Sequence, residues 1–170
     1  MKVQLVQASL DGDLHWLDQR WFLPLGLLSV ATYARSHNES LDIEILDGMH
    51  FSTDEILARL GADIVGVNYT ILSTDSLDRV VQRAKSFGAV TVVGGQAASK
   101  VPNAILTRNP NIDAVVVGDC EKPFLELTDR VSNNKPWDGI PNLYFRENGS
   151  VVPPPIFLRE QLSEFPPLSF

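Results

Sequence analysis

The chain has 170 residues, 44% of them hydrophobic and 21% charged, which suits a single globular domain with a proper core. Its net charge of −7 argues against a nucleic-acid or anionic-membrane surface, because both require a basic face. No apolar run reaches membrane-spanning length, and the first residues are too short and polar-flanked for a signal peptide. Since Cys120 is the single cysteine, an internal disulfide is excluded, and the chain alone cannot supply the thiolates of an iron–sulfur cluster. We therefore expect a cytoplasmic protein.

Strand and helix patterns alternate five times along the chain. Apolar or alternating runs predict strands at 3–8, 41–46, 63–68, 90–93 and 113–117. Helical spacing, prolines in first turns and glycines after helix ends predict a helix that begins at Pro24, and helices at 53–60, 73–87, 101–107 and 122–131.

This alternation predicts an α/β, Rossmann-like fold, in which a five-stranded parallel sheet carries helices on both faces. A flavodoxin-like strand order of 2-1-3-4-5 suits five units of this size and places the ends of strands one, three and four side by side. A small hairpin is predicted across 147–149. We expect residues 1–152 to form this domain and the proline-rich residues 153–170 to form a linker or arm.

The residues in and after two of the predicted strands are candidates for lining a binding crevice. Gly66 weakens the strand that contains it unless a flat ligand or a closely packed helix needs the space, and both explanations are equally open. Gly94 and Gly95 allow the backbone to approach a ligand, although a tight turn explains them as well. Ser73 or Thr74 is expected to cap the following helix with its hydroxyl.

Other polar residues have structural explanations beside functional ones. His15, in the long loop after the first strand, is a candidate metal ligand with Asp13 as its partner, but solvated loop histidines are commoner. Asp119 and Glu121 suit the dipole at the start of the last helix, and Cys120 is expected to be inert. No nucleophile set or pair of buried carboxylates is evident, so we expect this chain alone not to be catalytic.

Four segments that follow one another in order are more specific than any one alone. They are PLGLLSVATYAR at 24–35, DIVGV at 63–67, VGG at 93–95 and DAVVVGDCEKPF at 113–124. Together they resemble the N-terminal cobalamin-binding domain of cobalamin-dependent radical S-adenosylmethionine enzymes, over about residues 1–146. Residues 153–170 resemble the proline-rich segment that leads into the radical barrel of that family. The barrel and its CxxxCxxC cluster motif are absent, so the chain resembles an excised or truncated domain.

The resemblance implies that cobalamin lies at the carboxyl ends of the strands. The corrin ring would lie over 9–15, 68–72 and 94–97, with the nucleotide tail near Gly66, Ser73 and Gly95. S-adenosylmethionine and a [4Fe-4S] cluster would belong to the full-length enzyme, whose barrel is the implied partner. The cofactor-binding residues implied in this way are Leu14, His15, Asn68, Tyr69, Thr70, Ile71, Ser73, Gly94, Gly95, Gln96, Ala97, Gly118, Asp119 and Glu121.

The chain departs from the family pattern at two places. The family usually has Gly-Glu-Gly-Glu where residues 118–121 are Gly-Asp-Cys-Glu, so Cys120 narrows that loop. Classical cobalamin-binding domains carry a DxHxxG motif whose histidine replaces the lower axial base. Residues 13–18 match this motif except for Asp18 in place of the final glycine, and most radical members lack the histidine. The match implies His15 as a cobalt ligand.

Three functions follow from the resemblance. The leading hypothesis is the cobalamin-binding domain of a radical S-adenosylmethionine methyltransferase or a related C–C bond-forming or ring-forming enzyme. The alternatives are a ligand-free docking module for the barrel and a free-standing corrinoid carrier of methyl groups. The substrate would be determined by the missing barrel.

Overall fold

The computed structural model describes residues 1–10, 23–159 and 165–168. Within these ranges the strands are β1 (Lys2–Gln7), β2 (Asp42–Asp47), β3 (Ile64–Asn68), β4 (Val90–Gly94), β5 (Ala114–Val116), β6 (Leu143–Glu147) and β7 (Ser150–Val152). The helices are α1 (Leu25–His37), α2 (Thr53–Arg59), α3 (Thr74–Ser86), α4 (Gln96–Lys100), α5 (Pro102–Arg108) and α6 (Glu121–Ser132).

The strands form one seven-stranded sheet in the order β2-β1-β3-β4-β5-β6-β7. Its first five strands are parallel and follow the flavodoxin-like order predicted from the sequence. The predicted strand count is wrong, because β6 pairs antiparallel with β5 and β7 pairs antiparallel with β6. A two-stranded hairpin is only marginally stable on its own, and without a neighbour the edge of β5 would leave backbone N–H and C=O groups unpaired. Pairing β6 with β5 stabilises the hairpin and provides partners for these groups.

The sheet is covered on both faces, which explains the apolar central strands. On one face, Val65 and Val67 of β3 pack with the buried sides of α2, α3, α4 and α5. On the other face, Ile64 of β3 packs in a second core with α1 and α6. The cavity described below lies on this second face.

The connection from β3 to α3 differs from the sequence prediction. Neither Ser73 nor Thr74 caps α3 with its side chain. The Ser73 hydroxyl instead donates to the carbonyl oxygen of Thr70 (3.0 Å), inside a 3₁₀ turn at Ile71–Ser73. Such local side-chain bonds compete with capping, so the hydroxyl stabilises the turn before the helix.

The helix α4 is not predicted from the sequence, since it lies between the predicted strand at 90–93 and the predicted helix at 101–107. It has only five residues and follows Gly94 and Gly95, so its sequence carries little periodic signal. The helix begins directly at the carboxyl end of β4, and three of its side chains therefore reach the neighbouring cavity.

The segment after β7 contains neither helix nor strand in residues 153–159 and 165–168, as predicted. Its backbone is held by Asn142, whose N–H donates to the carbonyl of Ile156 (3.1 Å). The side chain of Asn142 also accepts from the N–H of Leu158 (2.7 Å) and donates to the Leu158 carbonyl (2.9 Å). Phe165 makes an edge contact with the ring of Tyr33 on α1. The described helices include none that is long and apolar enough to cross a membrane.

Candidate cofactor-binding site

A cavity of about 670 Å³ lies between the sheet, α1 and α6, and it reaches the loops at the carboxyl ends of β3, β4 and β5. Parallel α/β sheets bind ligands in this position, because the strand order reverses there and the loops separate. The volume falls within the range of pockets that hold cofactors and small molecules.

Gly66 lies at the floor of the cavity, and its lack of a side chain lets Leu5 and Phe124 approach β3 closely. An added Cβ would lie 2.8 Å from Cδ2 of Leu5 and 3.4 Å from Cε2 of Phe124. Val92 and Val116 continue this apolar surface on the neighbouring strands. The floor therefore offers a flat apolar surface beneath the helices.

The opposite wall comes from α1. Gly26, Leu27 and Val30 line the cavity at the spacing of one helical face. No atom lies within 4 Å of the position of a Cβ on Gly26. Glycine destabilises a helix by about 1 kcal/mol relative to alanine, and here it leaves open space beside the sheet.

Two loops meet closely at the mouth of the cavity. Gly95 has a φ of 104°, and its Cβ would lie 2.8 Å from the carbonyl oxygen of Tyr69 and closer still to Oδ1 of Asn68. The N–H of Tyr69 donates to the carbonyl of Gly94 (2.9 Å), and Nδ2 of Asn68 donates to Oε1 of Gln7 (2.7 Å). These contacts join the ends of β1, β3 and β4 into one support.

The loop after β5 is tied to both neighbouring helices. The N–H of Gly118 donates to Oγ of Ser99 on α4 (3.0 Å). The carboxylate of Glu121 accepts from Oγ of Ser29 on α1 (2.6 Å) and from the N–H of Cys120 (3.0 Å). Sγ of Cys120 lies near Gly94, at 3.3 Å from the position of its missing Cβ. The loop therefore closes one side of the mouth.

Seven of the predicted site residues line this cavity. They are Asn68, Gly94, Gly95, Gln96, Gly118, Asp119 and Glu121. Leu14 and His15 lie outside the described residues. The described residues contain no group of three or more potential metal-binding side chains.

The remaining predicted residues lie beside the cavity and do not line it. The hydroxyl of Tyr69 pairs with Oγ1 of Thr74 (3.1 Å), and Thr70 pairs with the buried Ser73 (3.2 Å). Ile71 is 78% exposed. Ala97 is half-buried against the opposite core.

Sequence reasoning missed the helical side of the cavity. The residues concerned are Gly26, Leu27 and Val30 on α1, Phe124 on α6, and Ser99 and Lys100 on α4. The glycine near the start of an otherwise apolar helix was the available signal at Gly26. The others have ordinary helical spacing and reveal their role only when the helices are placed on the sheet.

The model of the B12 binding domain family matches residues 21–128. The chain belongs to the B12 binding domain family. This B12 binding domain is also 34% identical, over 174 aligned positions, to an uncharacterized methyltransferase from Pyrococcus horikoshii. The alignment covers 98% of this chain and 37% of the relative, so the chain spans little more than a third of that protein's length.

Solved structures share the fold of this B12 binding domain. One is the radical S-adenosylmethionine methyltransferase TsrM from Kitasatospora setae with cobalamin and a [4Fe-4S] cluster bound (TM-score 0.71, 22% identity, 98% of this chain and 31% of that chain). Another is the cobalamin-dependent S-adenosylmethionine radical enzyme OxsB with aqua-cobalamin and S-adenosylmethionine bound (TM-score 0.77, 17% identity, 96% and 23%). The family resemblance predicted from the sequence is thus confirmed.

The cavity fits the nucleotide base of cobalamin. A flat aromatic base requires apolar contacts, and Leu27, Val30 and Val92 line the cavity between the sheet and α1. Polar side chains are concentrated at the mouth, where Asn68, Gln96 and Asp119 contribute to the lining. The apolar slot and its polar mouth match a ligand with a buried ring and a hydrophilic connection.

Proposed function

We propose that this domain holds cobalamin for a radical S-adenosylmethionine enzyme, most directly a methyltransferase. The observation that carries the proposal is the cavity above Gly66, bounded by Leu5 and Phe124 and open at the strand ends. The P. horikoshii relative and TsrM, both named as methyltransferases, support this reaction class. The full enzyme would add a barrel that holds S-adenosylmethionine and a [4Fe-4S] cluster.

The nucleotide base would occupy the slot, and the corrin ring would lie over the loops at 68–72 and 94–97. Ile71 and Leu72, which are 78% and 51% exposed, offer apolar contacts at this edge. Cobalamin, when bound, supplies a cobalt centre that carries a methyl group. The protein's contribution is to bind and orient the cofactor and to exclude water from it.

The proposal assigns different roles to the predicted site residues. Asn68 and the pair Gly94–Gly95 support the corrin and its nucleotide connection, because they form the joined mouth. The path into the slot is lined by Gln96, Gly118, Asp119 and Glu121. Tyr69, Thr70, Ser73 and Ala97 would act by shaping these loops. Leu14 and His15, which lie outside the described residues, would also contribute to holding the cofactor, with His15 as the proposed cobalt ligand.

Hydroxocobalamin binding tests the proposal. The purified chain is incubated with excess hydroxocobalamin and passed through a gel-filtration column. We expect a coloured complex with one corrinoid per chain. A chain that elutes colourless would favour a ligand-free docking module instead.

A methyl-transfer assay with the cobalamin-loaded chain distinguishes a free-standing methyl carrier from a domain that requires its radical S-adenosylmethionine barrel. Methylcobalamin-loaded protein is mixed with candidate acceptor enzymes, and loss of the methyl group is followed by absorbance. We expect no transfer in the absence of a radical S-adenosylmethionine barrel. Transfer to a separate acceptor would favour a free-standing carrier.

His15 is tested by its effect on the spectrum of the bound cofactor. If its imidazole is the lower axial ligand, His15→Ala shifts the visible bands of bound cobalamin. An unchanged spectrum would remove His15 from the site.

A further inference from the structure

The mouth of the cavity contains a basic side chain whose role nothing in the fold explains. Lys100 ends the short helix α4 and lines the cavity together with Gln96 and Ser99. These three residues have the i, i+3 and i+4 spacing of one helical face. The helix is fixed in this orientation, because Oγ of Ser99 donates to the carbonyl of Gly95 (3.0 Å) and accepts from the N–H of Gly118 (3.0 Å).

Within the described part of the chain, Lys100 is the one basic residue among those that line the cavity. It makes no hydrogen bond or ion pair with any described residue. Two acidic residues, Asp119 and Glu121, also line the cavity, and neither is paired with Lys100. The Glu121 carboxylate is engaged by Ser29 (2.6 Å) and by the N–H of Cys120 (3.0 Å).

Several other basic side chains of this acidic chain have acidic partners. Lys85 pairs with Asp113 (2.9 Å), and Lys135 pairs with Asp129 (3.2 Å). An unpaired ammonium group at the mouth of a mainly apolar cavity therefore favours a ligand that brings its own negative charge.

We propose that Lys100 binds the phosphodiester of the nucleotide loop of cobalamin, and this inference rests on the proposed function. That phosphodiester is the anionic group of the cofactor, and it connects the base and ribose to the corrin side chain. With the base above Gly66 and the ring over the loops at 68–72, the connection would cross the mouth of the cavity. Lys100 borders this passage.

The consequence is selectivity for corrinoids that carry a nucleotide loop. Cobinamide has the same corrin ring but lacks the phosphodiester, the ribose and the base. Lys100 should therefore strengthen the binding of cobalamin and leave cobinamide unaffected. Because the side chain is exposed, the effect is modest, about threefold in Kd at moderate salt.

The test compares two corrinoids and four proteins. The Kd values of hydroxocobalamin and aquacobinamide are measured by absorbance titration for the wild-type chain, Lys100→Gln, Lys100→Arg and Lys135→Gln. Lys135→Gln is the matched control, since it removes the same charge from an exposed lysine whose partner, Asp129, lies far along α6 from the cavity. Thermal unfolding checks that all four proteins fold equally well.

We expect Lys100→Gln to raise the Kd of hydroxocobalamin about threefold, while Lys100→Arg and Lys135→Gln stay near the wild type. The Kd of aquacobinamide should be the same in all four proteins. Salt should weaken cobalamin binding to the wild type more than to Lys100→Gln, because salt screens exposed charges.

Equal Kd values of hydroxocobalamin for the wild type and Lys100→Gln would overturn the role of Lys100 and leave the proposed function intact. A loss for aquacobinamide as large as that for hydroxocobalamin would also overturn it, since the ammonium group would then contact the ring. A wild-type chain that binds neither corrinoid overturns the proposed function, and this inference with it.

Discussion

Gly66 of β3 lies opposite Leu5 of β1 in the parallel register, and a Cβ on Gly66 would lie 2.8 Å from Cδ2 of Leu5. Phe124 also approaches this position, with Cε2 at 3.4 Å, so a larger residue at Gly66 would have to displace two side chains that border the cavity. The missing side chain therefore lets Leu5 and Phe124 pack against β3 at the floor of the cavity, and a larger residue here would intrude on that cavity.

The first prediction concerns Gly66→Val. Its side chain occupies the slot, so the Kd of hydroxocobalamin should rise about tenfold or more, which corresponds to the cost of overpacking a site. Gly61→Val is the control, because no atom lies within 4 Å of a Cβ at that exposed glycine. Equal affinities of the two variants, measured by absorbance titration, would mean that the base lies elsewhere.

A second prediction concerns the mouth of the cavity. Gly95→Ala places a Cβ 2.8 Å from the carbonyl of Tyr69, in a backbone conformation that only glycine adopts readily. The free energy of unfolding in urea should fall by about 3 kcal/mol or more. Gly139→Ala also has a positive φ of 84° but meets no neighbouring atom, so it should lose only about 1–2 kcal/mol. Similar losses in the two variants would argue against a close approach at Gly95.

The third prediction concerns the segment after β7. Asn142→Gly keeps the positive φ of 60° but removes the side-chain bonds to the backbone of Leu158. Chymotrypsin should then cleave after Phe157 about tenfold faster, because two hydrogen bonds no longer oppose local opening. Asn148→Gly, at another positive φ of 49° in the hairpin turn, should leave the rate unchanged. Equal cleavage rates in both variants would show that Asn142 does not hold the segment.

The fourth prediction concerns pH and the start of α2. The N–H and hydroxyl of Ser52 donate to the Glu55 carboxylate (2.9 and 2.8 Å), which lowers the pKa of Glu55 below its ordinary value. Its contribution to stability is therefore present above the unfolded-state pKa and is lost as the pH falls through the lower folded-state pKa. NMR titration should show the pKa of Glu55 rising toward its ordinary value in Ser52→Ala. An unchanged pKa in that variant would contradict the capping box.

The parallel part of the fold was predictable because each of its strands is a local apolar run. Buried strands such as 63–68 and 113–117 carry their signal in neighbouring residues, and the crossover rules then restrict the strand order. The pairing of β6 with β5 was not predictable in this way. This pairing places Phe145 beside Ala114, and no local sequence pattern indicates which edge of the sheet a hairpin pairs with.

The candidate site was predictable only on its loop side. Gly94, Gly95 and Gly118 could be identified because each follows a buried strand. The α1 and α6 side depends on how helices lie on the sheet, so Val30 and Phe124 looked like ordinary core residues. The sequence suggests Ser73 as a helix cap and as a ligand-binding residue, whereas its hydroxyl donates to the carbonyl of Thr70 in a local turn.

The central claim is that the slot between the sheet, α1 and α6 receives the nucleotide base of cobalamin. The most direct measurement is the set of nuclear Overhauser contacts between the dimethylbenzimidazole protons of bound cobalamin and the labelled protein. We predict contacts with the methyl groups of Leu5 and Val30 and with the ring of Phe124. A stoichiometric complex in which the base protons contact none of these three side chains would contradict the account.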